Sequence, residues 1–148
     1  MSVFEKIGDD FCDNRTEVVL KDKRASSKYT GLNPNNKLSI CRHRIDGVII
    51  KEGSKCDYLL LDMTDQKAYF VELKGHDINQ AAEQIRTTIE VLEPELKQFT
   101  IYARIVATRI NVTDFRSSGF QKLQRKVKNR LDVKNILMKE NLQTNVIS

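Results

Sequence analysis

Between residues 56 and 92 the hydrophobic pattern changes period once, and that change restricts the fold more than any other feature of the chain. Two apolar runs, Tyr58-Leu59-Leu60-Leu61 and Ala68-Tyr69-Phe70-Val71, flank the polar connector Met63-Thr64-Asp65-Gln66-Lys67. Short runs rich in Leu, Val and aromatics predict two neighbouring strands joined by a hairpin. After Gly75, the residues Ile78, Ala81, Ala82, Ile85, Ile89 and Leu92 recur at helical spacing, with Asp77 as N-cap and Pro94 as an end or a restart. Residues 99–108, FTIYARIVAT, carry the β-branched and aromatic content of a strand inside a sheet. A strand, a long helix and another strand make a βαβ-like crossover. The expected fold is therefore α/β, with a mixed central sheet flanked by helices.

The polar residues at the hairpin ends carry the chemistry. An antiparallel hairpin sets the start of its first strand beside the end of its second, so Asp57 is expected next to Glu72-Leu73-Lys74. Alternation along the strand turns Glu72 and Lys74 to one face and Leu73 to the other. Phosphodiester hydrolysis asks for a place for Mg²⁺, an activated water and neutralisation of charge on the phosphate. Asp57 and Glu72 suit the hard ion, and the backbone carbonyl of Leu73 completes the protein ligands. Lys74 is positioned to orient or deprotonate the water, or to stabilise the developing charge.

Asp57, the hairpin, Glu72-Leu73-Lys74 and the following helix together resemble the core of the PD-(D/E)XK nuclease superfamily, which includes restriction endonucleases and archaeal-type Holliday-junction resolvases. The resemblance covers roughly residues 38 to 108, and Cys56 stands where the family often has proline. It implies a restriction-endonuclease-like core that cuts DNA with Mg²⁺, or with Mn²⁺ as a substitute. Asp57 and Glu72 are then metal ligands and Lys74 the catalytic lysine. The resemblance also implies a glutamine on the next helix, matched by Gln84 or Gln80, and an N-terminal acid, matched by Glu5, Asp9, Asp10 or Glu17. An endonuclease cutting both strands of a duplex is expected to be a homodimer. A nucleic-acid-binding module without catalysis on the same fold is the alternative.

The rest of the chain supplies context. Its 148 residues fit one domain, with 40% apolar and 30% charged residues. No basic-then-apolar leader and no apolar run of membrane-spanning length is present, so a cytoplasmic protein with no membrane association is expected. Cys12, Cys41 and Cys56 are an odd number without close spacing, and are read as reduced thiols. His43 and His76 are read as polar surface residues. Residues 3–11 fit a short helix, and residues 13–36 are polar with turn signals, apart from Glu17-Val18-Val19-Leu20, which fits a strand or a helix end. Residues 38–50 read as a strand broken near Asp46-Gly47, and 51–55 as a turn.

The net charge of +5 points weakly to a polyanionic partner, and its distribution says more. Between 116 and 139 lie Lys122, Arg125, Lys126, Lys128, Arg130 and Lys134, with Phe120, Leu123, Val127 and Leu131 at helical spacing. That segment predicts an amphipathic helix with a cationic outer face. Lys122, Arg125, Lys126, and Arg42 and Arg44 of the strand near 38–50, are the candidate phosphate contacts, with DNA expected ahead of RNA. Ile136-Leu137-Met138 reads as a last edge strand, and residues 143–148 are expected to fray.

Overall fold

The computed structural model describes residues 11–22, 26–45 and 56–148. Within them the order is β1 (Phe11–Asp13), β2 (Glu17–Lys21), β3 (Lys28–Leu32), β4 (Ile40–Arg44), β5 (Tyr58–Asp62), β6 (Lys67–Lys74), α1 (Ile78–Leu92), β7 (Thr100–Ala107), α2 (Ser118–Lys126), β8 (Leu131–Asn135) and β9 (Leu137–Asn141). The two apolar runs are β5 and β6, paired antiparallel from Tyr58↔Val71 to Asp62↔Lys67. The Asp62 side chain builds the turn, accepting hydrogen bonds from the backbone N–H of Thr64 and of Asp65, both at 3.0 Å. A main sheet of six strands runs β1-β4-β5-β6-β7-β8, and β6, β7 and β8 are mutually parallel while the others are antiparallel. The β6-α1-β7 crossover explains the parallel pair, because a returning strand needs a helix-length connection. Asp77 caps α1 by accepting from Gln80 N–H at 2.9 Å.

The main sheet is covered on both faces. Leu59, Leu61, Phe70, Ala103 and Ile105 pack under Ile78, Ile85 and Ile89 of α1 and under Phe120 and Leu123 of α2. Helix α2 lies so close to α1 that a Cβ on Gly119 would stand 2.4 Å from the Asn79 side-chain oxygen. The opposite face, with Leu60, Tyr69, Val71 and Val106, packs against Leu20, Tyr29 and Met138 of a second sheet. That sheet has the order β2-β3-β9, with β2 antiparallel and β9 parallel to β3. Burial of each large apolar side chain contributes about 1.5–3 kcal/mol, so both layers hold the sheet.

Between the two sheets lies a buried polar group. Arg104 of β7, 2% exposed, donates from Nε and Nη2 to the two carboxylate oxygens of Glu140 of β9, at 2.8 Å each. Tyr29 Oη and Asn145 Nδ2 donate to the same carboxylate at 2.8 and 3.0 Å. The stacked rings of Tyr69 and Tyr102 stand beside the guanidinium. Each charge is thereby matched within a buried layer, as burial of an ion pair requires.

Several expectations are corrected. The second sheet replaces the loop read over 13–36, and Glu17-Val18-Val19-Leu20 is a strand. Phe11 begins a strand rather than ending a helix, and residues 3–10 of that helix lie outside the described residues. The strand of 38–50 is β4, while Asp46-Gly47, Val48-Ile49-Ile50 and the turn at 51–55 also lie outside them. The basic amphipathic helix stops at Lys126, because Lys128 and Asn129 take left-handed conformations, φ 52° and 66°, and turn the chain into β8. Residues 143–148 are tied down through Gln143, which donates to Asn33 and Pro34, and through the bridge Glu140↔Ile147.

Cys12 and Cys41 are directly opposite in the β1–β4 register and form a disulfide. The reduced-thiol expectation fails for this pair because the contact is across strands, where sequence spacing is silent. Cys56 is a free, buried thiol. His43 is also buried, on the helix face of β4. Among the described residues no helix is long and apolar enough to cross a membrane.

Candidate functional site

The site forms where the β5–β6 register runs out. The last strand pair is Tyr58↔Val71, and one residue further the side chains take over the ladder. Asp57 N–H donates to Glu72 Oε1 at 3.0 Å, and Leu73 N–H donates to Asp57 Oδ2 at 2.9 Å. Each acid thus holds the backbone beside the other, which fixes both carboxylates without help from a ligand. Glu72 shares the parity of Ala68 and Phe70, so it projects toward α1, where it is 3% exposed. Leu73 turns its N–H toward Asp57. In a strand the carbonyl of the same residue points the same way, so the Leu73 oxygen lies on the Asp57 side.

Lys74 and Gln84 complete the arrangement. Lys74 Nζ lies 3.8 Å from Glu72 Oε2 and donates to Gln84 Oε1 at 3.0 Å. The backbone carbonyl of Gln84 accepts from Thr88 Oγ1, which in turn accepts from Cys56 N–H, so the third turn of α1 is keyed to the residue before Asp57. Gln80 is exposed on the helix and makes no such contact among the hydrogen bonds of the described residues. Burial and the neighbouring charge of Asp57 push the Glu72 carboxyl up to about 9, against the pull of Lys74. Two acids are held together in a place that disfavours the charge on Glu72.

Comparison of the chain with protein-family models, curated proteins and solved structures finds no match.

A divalent cation fits this donor set. The crowding that raises the Glu72 carboxyl would be relieved by positive charge beside the two carboxylates, and the Leu73 carbonyl lies on the Asp57 side. Among the described residues no group of three His, Cys, Asp or Glu side chains is gathered to hold a metal. Two carboxylates and a carbonyl leave the other positions to water, which suits Mg²⁺ rather than an ion demanding a full protein cage.

Asp22, at the end of β2, adds its negative charge at Glu72 and was not among the acids expected. Its signal in the sequence was available, since it closes the strand Glu17-Val18-Val19-Leu20-Lys21 as Asp57 opens β5. Glu17 sits at the other end of β2, opposite Leu32, and Glu5, Asp9 and Asp10 lie outside the described residues. The candidate phosphate contacts are spread out. Arg42 and Arg44 share the parity of Leu60 and Tyr58, on the sheet face away from Glu72, and Arg42 stands over the Phe11 ring. Lys122, Arg125 and Lys126 are exposed on α2, and Lys126 is paired with Glu93 beyond the far end of α1 from Lys74.

Proposed function

We propose that this chain is a Mg²⁺-dependent nuclease of the PD-(D/E)XK kind, hydrolysing phosphodiester bonds as an endonuclease on DNA ahead of RNA. The observation that carries the reading is the reciprocal lock between Asp57 and Glu72 with Lys74 and Gln84 beside it. Surface charges at strand ends need no such lock, because exposed ion pairs contribute little. Asp57, Glu72 and the Leu73 carbonyl would hold the ion, with Mn²⁺ able to replace Mg²⁺. Bound there, it would supply Lewis-acid polarisation of the phosphate and a more acidic water. Gln84 keeps the Lys74 amine extended beside Glu72, where it orients or deprotonates the attacking water or offsets charge on the phosphate. A second copy of the chain would serve the other strand of a duplex.

The test is cleavage of plasmid, single-stranded, branched and RNA substrates with and without Mg²⁺, comparing wild type with Glu72→Gln and Lys74→Ala. Each variant is expected to lose roughly 10²–10⁴ in rate while melting near the wild-type temperature. Activity that survives both substitutions refutes the assignment. Salt-sensitive binding of DNA by wild type without any cleavage would move it to a non-catalytic binding module.

A further inference from the structure

Beside the site, between the end of the β2–β3 pair and the β8–β9 connection, lies an open groove of about 390 Å³ lined by Lys21, Asp22, Ser27, Lys28, Ile136 and Leu137. It begins where the site ends. Ser27 Oγ donates to the Lys74 carbonyl at 3.5 Å, and Asp22, on its wall, adds to the negative charge felt by Glu72.

Two features of the groove conflict with what the fold alone requires. Lys21 and Lys28 are direct cross-strand partners, and both point away from the core because Leu20 and Tyr29 point inward. Like charges directly opposite on a strand pair are destabilising, so this pair lowers stability unless an anion joins it. Lys139 lies on the same outer face one row further on, opposite Thr30. The second feature is Ile136, 51% exposed with φ 66°. Its backbone links the two sheets, because its N–H donates to the Ala107 carbonyl in the main sheet and its carbonyl accepts from Lys28 N–H in the second sheet, each at 2.8 Å. A left-handed link of that kind favours Gly or Asn, and a β-branched residue there is strained. The crossing explains the backbone and leaves the exposed isoleucine unexplained.

We propose that this groove seats the nucleic-acid strand next to the scissile bond, with phosphates on Lys21 and Lys28 and a sugar or base face against Ile136 and Leu137. The proposal rests on the nuclease reading for its direction, since the groove leads out of the Asp57–Glu72 site. The excess of Lys21 and Lys28 over Asp22 on the groove wall, and continuity with that site, select a phosphodiester chain as occupant. Apolar side chains beside paired cations give a surface that takes a nucleotide's flat face and its phosphate together.

The experiment is fluorescence anisotropy of a short labelled oligonucleotide, single-stranded and duplex, over a salt series in EDTA so that no cleavage intervenes. Lys21→Gln/Lys28→Gln is compared with Lys37→Gln/Lys97→Gln, which removes the same charge from exposed positions elsewhere. The groove variant is expected to reduce the slope of log K against log salt by about 1.4 on a single strand or about 1.8 on a duplex, two contacts at roughly 0.7 or 0.9 each. Ile136→Asn is expected to melt no lower than wild type yet to bind several-fold more weakly, a combination that a purely structural residue does not give. An unchanged slope in the groove variant, or wild type that binds no DNA at low salt, overturns the proposal. A reduced slope in a protein that never cleaves upholds the groove and removes the nuclease reading, whereas cleavage with an unchanged slope does the reverse.

Discussion

The pairing of Arg104 with Glu140 gives the sharpest test of how the two sheets are held together. Arg104→Met leaves Glu140, fully buried, with Tyr29 and Asn145 as its remaining donors. Stranding one member of a buried ion pair costs about 3–5 kcal/mol. Glu140→Leu strands the cation instead, relieved by the carbonyls of Ala103 and Arg130, by Asp132 at 3.5 Å and by the rings of Tyr69 and Tyr102, and is expected to fall in the same range. The double variant removes both charges and leaves the Tyr29 hydroxyl and the Asn145 amide each short of a partner. At about 1 kcal/mol apiece, its cost is expected to be about 2 kcal/mol, below either single variant. Urea denaturation of the four proteins closes the cycle, with midpoints compared at constant m. If either single substitution costs less than about 1 kcal/mol, or if the double equals the sum of the singles, the pair is not desolvated and the second sheet does not seal the first as described.

Burial lowers the His43 imidazole to about 4, so the folded protein keeps it neutral while the unfolded chain protonates near 6.5. Its contribution is present above about 6.5 and is lost as pH falls to about 4, by up to about 3 kcal/mol, and the stability curve of His43→Leu measured by urea melts should lack that step. Reduction of the Cys12–Cys41 bond, with a sequence separation of 29, should lower stability by about 3–4 kcal/mol on the chain-entropy account, and thiol titration of the unreduced, unfolded chain should find Cys56 alone. Gly119→Ala drives a methyl into Asn79 and should cost about 1–3 kcal/mol in thermal unfolding, with no loss if α2 can slide along α1.

What was legible in the sequence is local. The hairpin, α1 from Ile78 to Leu92, the Asp77 cap and β7 follow from periods of two and 3.6 and from capping chemistry, all read within short windows. The meeting of Asp57 with Glu72 follows from hairpin geometry, whereas a glutamine of α1 near Lys74, Gln84 or Gln80, was expected from the family resemblance alone, and the structure brings Gln84 there. What was not legible depends on partners far along the chain. Lys28–Leu32 has one inward aromatic and a glycine, and becomes a strand because β2 and β9 flank it. Leu131 keeps helical spacing with Val127 yet belongs to a strand, because backbone turns at Lys128 and Asn129 carry no hydrophobic signal. The Arg104–Glu140 pair joins two residues whose sequence surroundings say nothing of each other.

The parallel pairing of β3 with β9 has a consequence for the order of events in folding. The Asp57–Glu72 bond closes a separation of 15 residues, whereas the Tyr29–Glu140 bond closes one of 111. Loop closure makes the longer search about 2 kcal/mol more costly before any contact repays it. The acids and lysine of the site should therefore assemble on an early hairpin and helix, while the second sheet docks later. Pulse-labelled hydrogen exchange should protect β5 and β6 before β3 and β9, and the reverse order would contradict this. On that route Asp57, Glu72 and Lys74 come together while the groove between the β2–β3 pair and the β8–β9 connection has not yet closed.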